Sequence, residues 1–180
     1  VTFVSDEEAE DAPFYFWRLG HMDGPHTASK ALGISRDGMV AVGSTLVVDF
    51  AHTPDALDNV LGAIRNAFPD TGILTLFGCG GDRDRGKRPL MGAVAERYAD
   101  RVVLTDDNPR TEDSQQIIDD VCAGLQHPEA AHIDHNRAHA INWAMQSAAA
   151  DDIVLIAGKG HEAVQIIGTK AVPFSDRERV

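Results

Sequence analysis

The chain has 180 residues and a mass of 19.4 kDa, which is about the size of one domain. Hydrophobic residues make up 43% of it and charged residues 24%, so the composition supports a buried core and excludes a wholly disordered chain. The 16 Lys and Arg residues against 28 Asp and Glu give a formal net charge of −12. Because phosphate groups would be repelled, we expect neither nucleic acid nor an anionic membrane as a partner.

Cysteine content and hydropathy bear on the compartment. The two cysteines, Cys79 and Cys122, are too few for a disulfide framework or a multi-cysteine zinc site, and we assign no metal ligands. Every apolar run is shorter than the roughly 18–20 residues of a membrane span. The first 17 residues carry five acidic side chains, where a secretory signal would be basic. We therefore expect a cytoplasmic protein.

Residues 1–45 have an irregular pattern. An acidic stretch is followed by the aromatic cluster Phe14–Trp17, and residues 28–42 are predicted to hold one short helix. We interpret residues 1–45 as a remnant of a preceding domain or a vector-derived extension. Residues 46–180 are predicted to form the folded domain.

From residue 46 onward, predicted strands and helices alternate. Leu46–Val48 is a short apolar strand, and Thr53 with Pro54 then supplies an N-cap and a proline at the first helical position. The later elements are strands at Ile73–Phe77, Arg101–Thr105, Ala131–Ile133 and Ile153–Ala157, helices at Pro89–Tyr98, Ser114–Leu125 and Arg137–Ala148, and a terminal hairpin at residues 165–174. This alternation predicts an α/β fold with a mostly parallel sheet covered by helices on both faces.

Four loops follow the strands predicted to end at Val48, Phe77, Thr105 and Ala157. In an open α/β sheet, such loops lie at the carboxyl edge, where ligands bind. The unusual polar residues of this sequence fall in these loops. We therefore look for function there.

The first two loops carry features suited to a nucleotide or an anion. Asp49 could accept a hydrogen bond from a ribose hydroxyl and His52 could face a base or phosphate, although a turn and helix cap explain this loop equally well. The second loop, residues 78–89, combines four glycines with four cations, which favours anion binding over a merely solvated loop. It is not a Walker A loop, because GxxxxGK[ST] is absent from the chain. We interpret Cys79 as a packing residue rather than a nucleophile.

The third and fourth loops suit an amino acid. Arg110 could bind a carboxylate, while Asp107 and Asn108 could hold an ammonium group; the alternative is an Asn-Pro turn that leads into a capped helix. In the fourth loop, Lys159 lies between two glycines, a weak indication of phosphate binding. Glu162 could pair with an ammonium.

Together these loops resemble the Mur ligases, the family that builds the peptide stem of bacterial peptidoglycan. The resemblance is to the C-terminal domain, and within the family to the members that add meso-diaminopimelate. The matching blocks occur in the family's order and are residues 48–57, 77–92, 105–113, 157–162 and 174–177.

The resemblance implies a Rossmann-like domain and assigns roles to individual residues. The family's diaminopimelate-recognition motif is matched by Asp107, Asn108, Pro109 and Arg110. The other positions that hold this amino acid are matched by Arg83, Gly158 and Glu162. The positions near ATP are matched by Asp49 and His52. No catalytic residue is assigned.

The implied reaction is amide formation driven by ATP, with Mg²⁺ offsetting phosphate charge. An amine of meso-diaminopimelate attacks an acyl phosphate on UDP-N-acetylmuramoyl-L-alanyl-D-glutamate. The family's ATPase and UDP-sugar domains have no counterpart here, so we expect the UDP-N-acetylmuramoyl-dipeptide to be bound through those missing domains. For the chain alone, we expect no ligase activity and no tight binding of ATP or Mg²⁺.

Two other functional classes compete with this interpretation. The same four loops could serve a non-catalytic α/β binding or interaction module that holds an amino acid, a nucleotide or a protein partner. A NAD-dependent reductase is disfavoured, because the chain lacks the glycine fingerprint that binds a dinucleotide.

Overall fold

The computed structural model describes the backbone of residues 15–17, 32–34 and 40–42, and residues 44–180 in full. The strands are β1 (Tyr15–Trp17), β2 (Leu32–Ile34), β3 (Val40–Val42), β4 (Thr45–Asp49), β5 (Ile73–Phe77), β6 (Arg101–Leu104), β7 (His132–Ile133), β8 (Ile153–Ala157), β9 (Val164–Ile167) and β10 (Lys170–Pro173). The helices are α1 (Pro54–Ala67), α2 (Lys87–Tyr98), α3 (Ser114–Cys122), α4 (Arg137–Ser147) and α5 (Asp176–Arg179), with a 3-10 turn at Pro128–Ala130.

The central sheet has six strands in the order β1-β4-β8-β5-β6-β7. The five strands from β4 to β7 in this order are parallel, and β1 pairs antiparallel with β4 at one edge. Strands β9 and β10 form a separate antiparallel hairpin. The predicted α/β fold and terminal hairpin are confirmed.

Helices cover both faces of this sheet. Apolar residues of α1, α2 and α3 pack with Val47 and Leu155 on one face, and those of α4 pack with Val48 and Ile156 on the other. Adjacent strand residues point to opposite faces, which is why neighbours such as Val47 and Val48 join different clusters. The chain crosses from β4 towards β7 along one face and returns through α4 along the other, as right-handed crossovers require.

Helix α1 begins where the sequence predicts. The Thr53 side chain accepts a hydrogen bond from the Ala56 amide at 3.2 Å, and Pro54 occupies the first turn. Its buried stripe consists of Leu57, Val60, Leu61 and Ile64.

Within the described residues, no helix combines the length and apolar character needed to cross a lipid bilayer.

The helix predicted within residues 28–42 is wrong. Strands β2 and β3 lie there and pair antiparallel, with Gly33 opposite Ala41. Gly33 disfavours a helix, and the β-branched Val40 and Val42 favour an extended backbone. The aromatic cluster contributes β1, in which Tyr15 lies opposite Val48. The domain boundary at residue 46 stays a prediction, and the rest of residues 1–43 lies outside the described residues.

Candidate functional site

The loops after β4, β5, β6 and β8 meet at the carboxyl edge of the sheet, because these strands are neighbours in it. Backbone hydrogen bonds join the loops in pairs. The Gly158 amide donates to the Asp49 carbonyl at 3.1 Å, and the Gly81 amide donates to the Asn108 carbonyl at 2.9 Å. The predicted site residues therefore lie along one edge.

A buried ammonium group organises this edge. The Lys159 side chain has no solvent exposure, and its Nζ donates to Asn108 Oδ1 at 2.9 Å, Glu162 Oε2 at 3.1 Å and Asp107 Oδ1 at 3.3 Å. The weak prediction that Lys159 binds phosphate is wrong, because this charge is enclosed and already paired. Asp107 and Asn108 do hold an ammonium, as the residue types indicate, but it is that of Lys159.

The orientation of the Asn108 amide follows from its partners. Its Oδ1 accepts from Lys159 Nζ and from the Ile166 amide at 2.9 Å, and its Nδ2 donates to Glu162 Oε2 at 3.1 Å. An ammonium and a backbone N–H only donate, and a carboxylate only accepts. The reversed amide would oppose like groups at all three contacts, so one orientation is fixed.

Glu162 is held as a carboxylate. Burial alone would raise its pKa. Hydrogen bonds from Asn108 and Lys159, with the positive charges of Lys159 and Arg110, outweigh burial and hold the pKa of Glu162 below its ordinary value of 4.5. Within the described residues, the side-chain hydrogen bonds of Glu162 all fall on Oε2. Its Oε1 can accept from a ligand.

Arg110 is fixed in a strained backbone conformation beside this cluster. Its φ is +53°, in the left-handed region that side chains other than glycine rarely adopt. The hairpin holds it there, because its amide donates to the Ile166 carbonyl at 3.0 Å and its carbonyl accepts from the Gly168 amide at 2.7 Å. Strain of this kind concentrates at functional sites, which is consistent with the predicted role of Arg110.

Arg83 and Arg110 approach the same glycine. A Cβ built on Gly80 would lie 2.9 Å from Arg110 Nη1 and 3.6 Å from Arg83 Cγ. Arg83 is exposed, while Arg110 Nη1 donates to the Gly81 carbonyl at 2.8 Å. The structure thus brings the Arg110 guanidinium and the aliphatic part of the Arg83 side chain to Gly80, next to the Asn108 carbonyl.

A second charged network joins the loops after β5 and β6. Arg88 is buried without exposure and binds both oxygens of Glu112, at 2.8 and 2.7 Å, and Asp120 at 2.8 Å. Glu112 also forms an ion pair with Arg85 at 2.8 Å and accepts a hydrogen bond from the Asp82 amide at 2.9 Å. The hydrogen bond from Arg88 lowers the pKa of Glu112 to about 2 against the opposing effect of burial. This network fixes the loops that carry Arg83 and Arg110.

Sequence reasoning missed three supporting residues in addition to the role of Lys159. Arg88 and Glu112 were not singled out as a pair. Gln165, which donates to the Asp107 carbonyl at 2.7 Å, was assigned only to the hairpin. The signal available for Arg88 was weak: it is the last cation before Pro89, at the start of a helix whose apolar face is buried.

The residues predicted to contact ATP lie at the other end of the edge. Asp49 Oδ1 accepts from the Ala51 amide at 2.7 Å, and burial raises the pKa of Asp49 despite this hydrogen bond. His52 is exposed, and its ring lies 4.6 Å from that of Phe50, which in turn lies 5.4 Å from His161. The three rings form a partly exposed aromatic surface next to Asp49.

Cys79 lies just after β5, at the start of the loop that carries Arg83. Cys79 is buried, and burial raises its pKa to about 11, so its thiol is protonated at neutral pH and suited to packing rather than to nucleophilic attack. Its Sγ lies 3.7 Å from Met91 Sδ. Among the described residues, no three His, Cys, Asp or Glu side chains are placed to hold a metal ion.

The fold is an α/β domain with its polar residues at the carboxyl edge of a mostly parallel sheet. The chain belongs to the Mur ligase family: the family model described as "Mur ligase, glutamate ligase domain" matches residues 37–160. The family resemblance predicted from the sequence is thereby confirmed.

The chain is similar to ligases that carry the name UDP-N-acetylmuramoyl-L-alanyl-D-glutamate–2,6-diaminopimelate ligase. It is 55% identical over 133 residues to that of Vibrio cholerae serotype O1 and 58% identical over 134 residues to that of Parasynechococcus marenigrum. A solved structure of a ligase of the same name superimposes with a TM-score of 0.71 at 41% identity, covering 88% of this chain and 31% of that one.

The matched region is a limited part of those relatives. It covers 74% of this chain but only 27% of each of the two sequences. The chain therefore spans about a quarter of the length of the curated relatives it matches. The activity of the whole ligase is considered below as a proposal.

Proposed function

We propose that this chain is the amino-acid-binding domain of a ligase that adds meso-diaminopimelate to UDP-N-acetylmuramoyl-L-alanyl-D-glutamate. The observation that carries the proposal is the cluster formed by Asn108, Glu162 and Arg110 at the carboxyl edge. It offers an acceptor for an ammonium and donors for a carboxylate, which are the two groups of an amino-acid head. The identity of 55–58% with ligases of that name supports the choice of amino acid.

Five of the residues predicted to bind the amino acid have a role in this proposal. Glu162 Oε1 accepts from an ammonium of meso-diaminopimelate, while Arg110 and Arg83 donate to a carboxylate of the same molecule. The free N–H of Asn108 adds a third donor. Gly158, at a φ of +108°, adopts a backbone conformation that favours glycine and leads into the loop bearing Glu162.

The proposed contribution to catalysis is positioning. In the full ligase, an acyl phosphate formed with ATP on the D-glutamate side chain is attacked by an amine of the bound amino acid. Holding one end of that amino acid brings the amine to the acyl phosphate, which lowers the entropic part of the barrier. Asp49 and His52 would contact the nucleotide. We assign the binding of the γ-phosphate and Mg²⁺ to parts of the ligase outside this chain, and we expect the ligase to act in the cytoplasm.

The direct test is titration of the 180-residue chain with meso-diaminopimelate and with L-lysine, which lacks the second carboxylate. We expect selective, weak binding of meso-diaminopimelate that Arg110→Ala abolishes. Arg97→Ala is the matched control, because Arg97 lies on α2 in an exposed pair with Asp58. Binding of neither amino acid, together with a tight protein contact, would support the alternative of a non-catalytic interaction module.

A second test concerns activity. We expect the purified chain to consume no ATP when supplied with UDP-N-acetylmuramoyl-dipeptide, meso-diaminopimelate and Mg²⁺. A colorimetric phosphate assay measures this. ATP consumption that depends on the dipeptide would contradict the proposal that γ-phosphate and Mg²⁺ bind outside this chain.

A further inference from the structure

We infer that Lys159 is a positioning residue that determines which hydrogen-bonding groups Asn108 and Glu162 present to the amino acid. The inference rests on the proposed function, because it concerns the same site. It adds a residue that touches no ligand and acts through two that do.

The first step is that Lys159 has no donor left for a ligand. Its side chain has no solvent exposure, and its ammonium has three acceptors, on Asp107, Asn108 and Glu162. A lysine ammonium has three N–H donors. All three are therefore used within the protein.

The second step is the effect on the two neighbours. Lys159 occupies Asn108 Oδ1 and Glu162 Oε2, so the acceptor of Asn108 and one oxygen of Glu162 are turned inward. Within the described residues, one N–H of Asn108 and the Oε1 atom of Glu162 have no hydrogen-bond partner, and these are the groups left for a ligand. The edge thus presents one donor and one anionic acceptor side by side, which matches an α-amino-acid group rather than a lone amine.

The third step is what happens without the ammonium. Asn108 Oδ1 would keep only the neutral Ile166 amide, and Glu162 would lose its charged partner while Asp107 remained nearby. Glu162 would lose the charged donor that holds its Oε2 atom, and Asn108 would be held only by the Ile166 amide and by Glu162 itself. The donor that recognises a ligand carboxylate would then be held less firmly, and meso-diaminopimelate would lose part of its advantage over L-lysine.

The experiment compares Lys159→Met with Lys170→Met in the 180-residue chain. Both changes remove a lysine charge, but Lys170 is exposed on the terminal hairpin. Two readouts are needed: the ratio of affinities for meso-diaminopimelate and L-lysine, and the side-chain NH₂ signals of Asn108 in ¹⁵N NMR spectra. A merely structural role would not change the affinity ratio selectively.

Folding of the variant is secured by a second design. Lys159→Met leaves Asp107 and Glu162 without their cation, so Lys159→Met combined with Asp107→Asn keeps the net charge unchanged. Retention of the fold is checked by the dispersion of backbone amide signals, and the readouts are then taken on whichever variant is folded.

We expect the affinity ratio to fall about tenfold, the effect of losing one hydrogen bond to a charged group. We also expect both Asn108 NH₂ signals to shift, because the carbonyl of the same amide loses its charged donor. Lys170→Met should leave both readouts unchanged. If the unmodified chain does not select meso-diaminopimelate, the proposed function fails and the Asn108 signals alone decide the inference. Unchanged Asn108 signals in the folded variant would overturn it.

Discussion

The two charged networks beside the Asn108 loop differ in whether both oxygens of their glutamate carboxylate already have partners within the protein. In the network of Arg88 and Glu112, both carboxylate oxygens of Glu112 are occupied: Oε2 accepts two hydrogen bonds, and Oε1 accepts one from Arg88 and forms an ion pair with Arg85. In the network of Lys159 and Glu162, the donors to the Glu162 side chain all lie on one oxygen within the described residues. The first network is closed and the second is open towards solvent. We infer that the first holds the loops and that the second meets the ligand.

Breaking the closed network should have the largest effect on stability. Arg88→Met leaves Glu112 and Asp120 without their buried cation, and we expect a loss of about 3–5 kcal/mol in the free energy of unfolding. Urea denaturation followed by circular dichroism measures it. A loss under about 1 kcal/mol would contradict the view of this network as the support of both loops.

A matched pair of substitutions separates the two networks. Glu162→Gln should lower the affinity for meso-diaminopimelate about tenfold or more, because a charged acceptor becomes neutral. It should lower the unfolding free energy less than Glu112→Gln, because Asp107 still pairs with Lys159. Glu112→Gln should show the opposite pattern, with a larger loss of unfolding free energy and a smaller loss of affinity. Calorimetric titration and urea denaturation of both variants measure this. Equal effects of the two substitutions on affinity would remove the distinction.

The acid dependence of stability provides a third comparison. The pKa of Glu112 is lowered from 4.5 to about 2, so its contribution is complete above pH 4.5 and is lost as the pH falls towards 2. We expect the unfolding free energy to decline over that window and Glu112→Gln to flatten the decline. Denaturation at a series of pH values tests this. An identical slope in the variant would show that other carboxylates cause the decline.

The smallest effect should come from the rim of the closed network. The side chain of Arg85, which pairs with Glu112, is 66% exposed. Exposed ion pairs contribute about 0.2–1 kcal/mol to the free energy of unfolding. Arg85→Met should therefore lower the unfolding free energy by less than about 1 kcal/mol. A loss as large as that of Arg88→Met, measured in the same way, would mean that exposure does not distinguish the two arginines.

Much of the fold could be predicted because buried strands have a clear signal. Strands β5 and β8 were predicted with their observed bounds, since β8 is an uninterrupted apolar run of five residues and β5 has four apolar residues around the buried Thr75. Helix α3 was predicted to reach Leu125 but ends at Cys122. Gly124, beyond that end, packs directly against the Pro89 carbonyl, a tertiary contact that no periodicity indicates.

The candidate site was predictable in its residue types but not in its internal pairing. The sequence places Asn108 and Glu162 in loops at one edge, and the structure confirms that they meet. It does not indicate that Lys159 turns inward, because a lysine between two glycines after a strand also suits an exposed anion site. The positions of Asp107 and Glu162 around Lys159 Nζ show that the lysine is buried and paired rather than exposed to bind an anion.

The most direct test is a crystal structure of this chain with meso-diaminopimelate. We expect one end of the molecule at the carboxyl edge, with its ammonium on Glu162 Oε1 and its carboxylate within reach of Arg110 and the free N–H of Asn108. Density for the amino acid elsewhere on the protein, with Glu162 Oε1 facing solvent, would contradict the account.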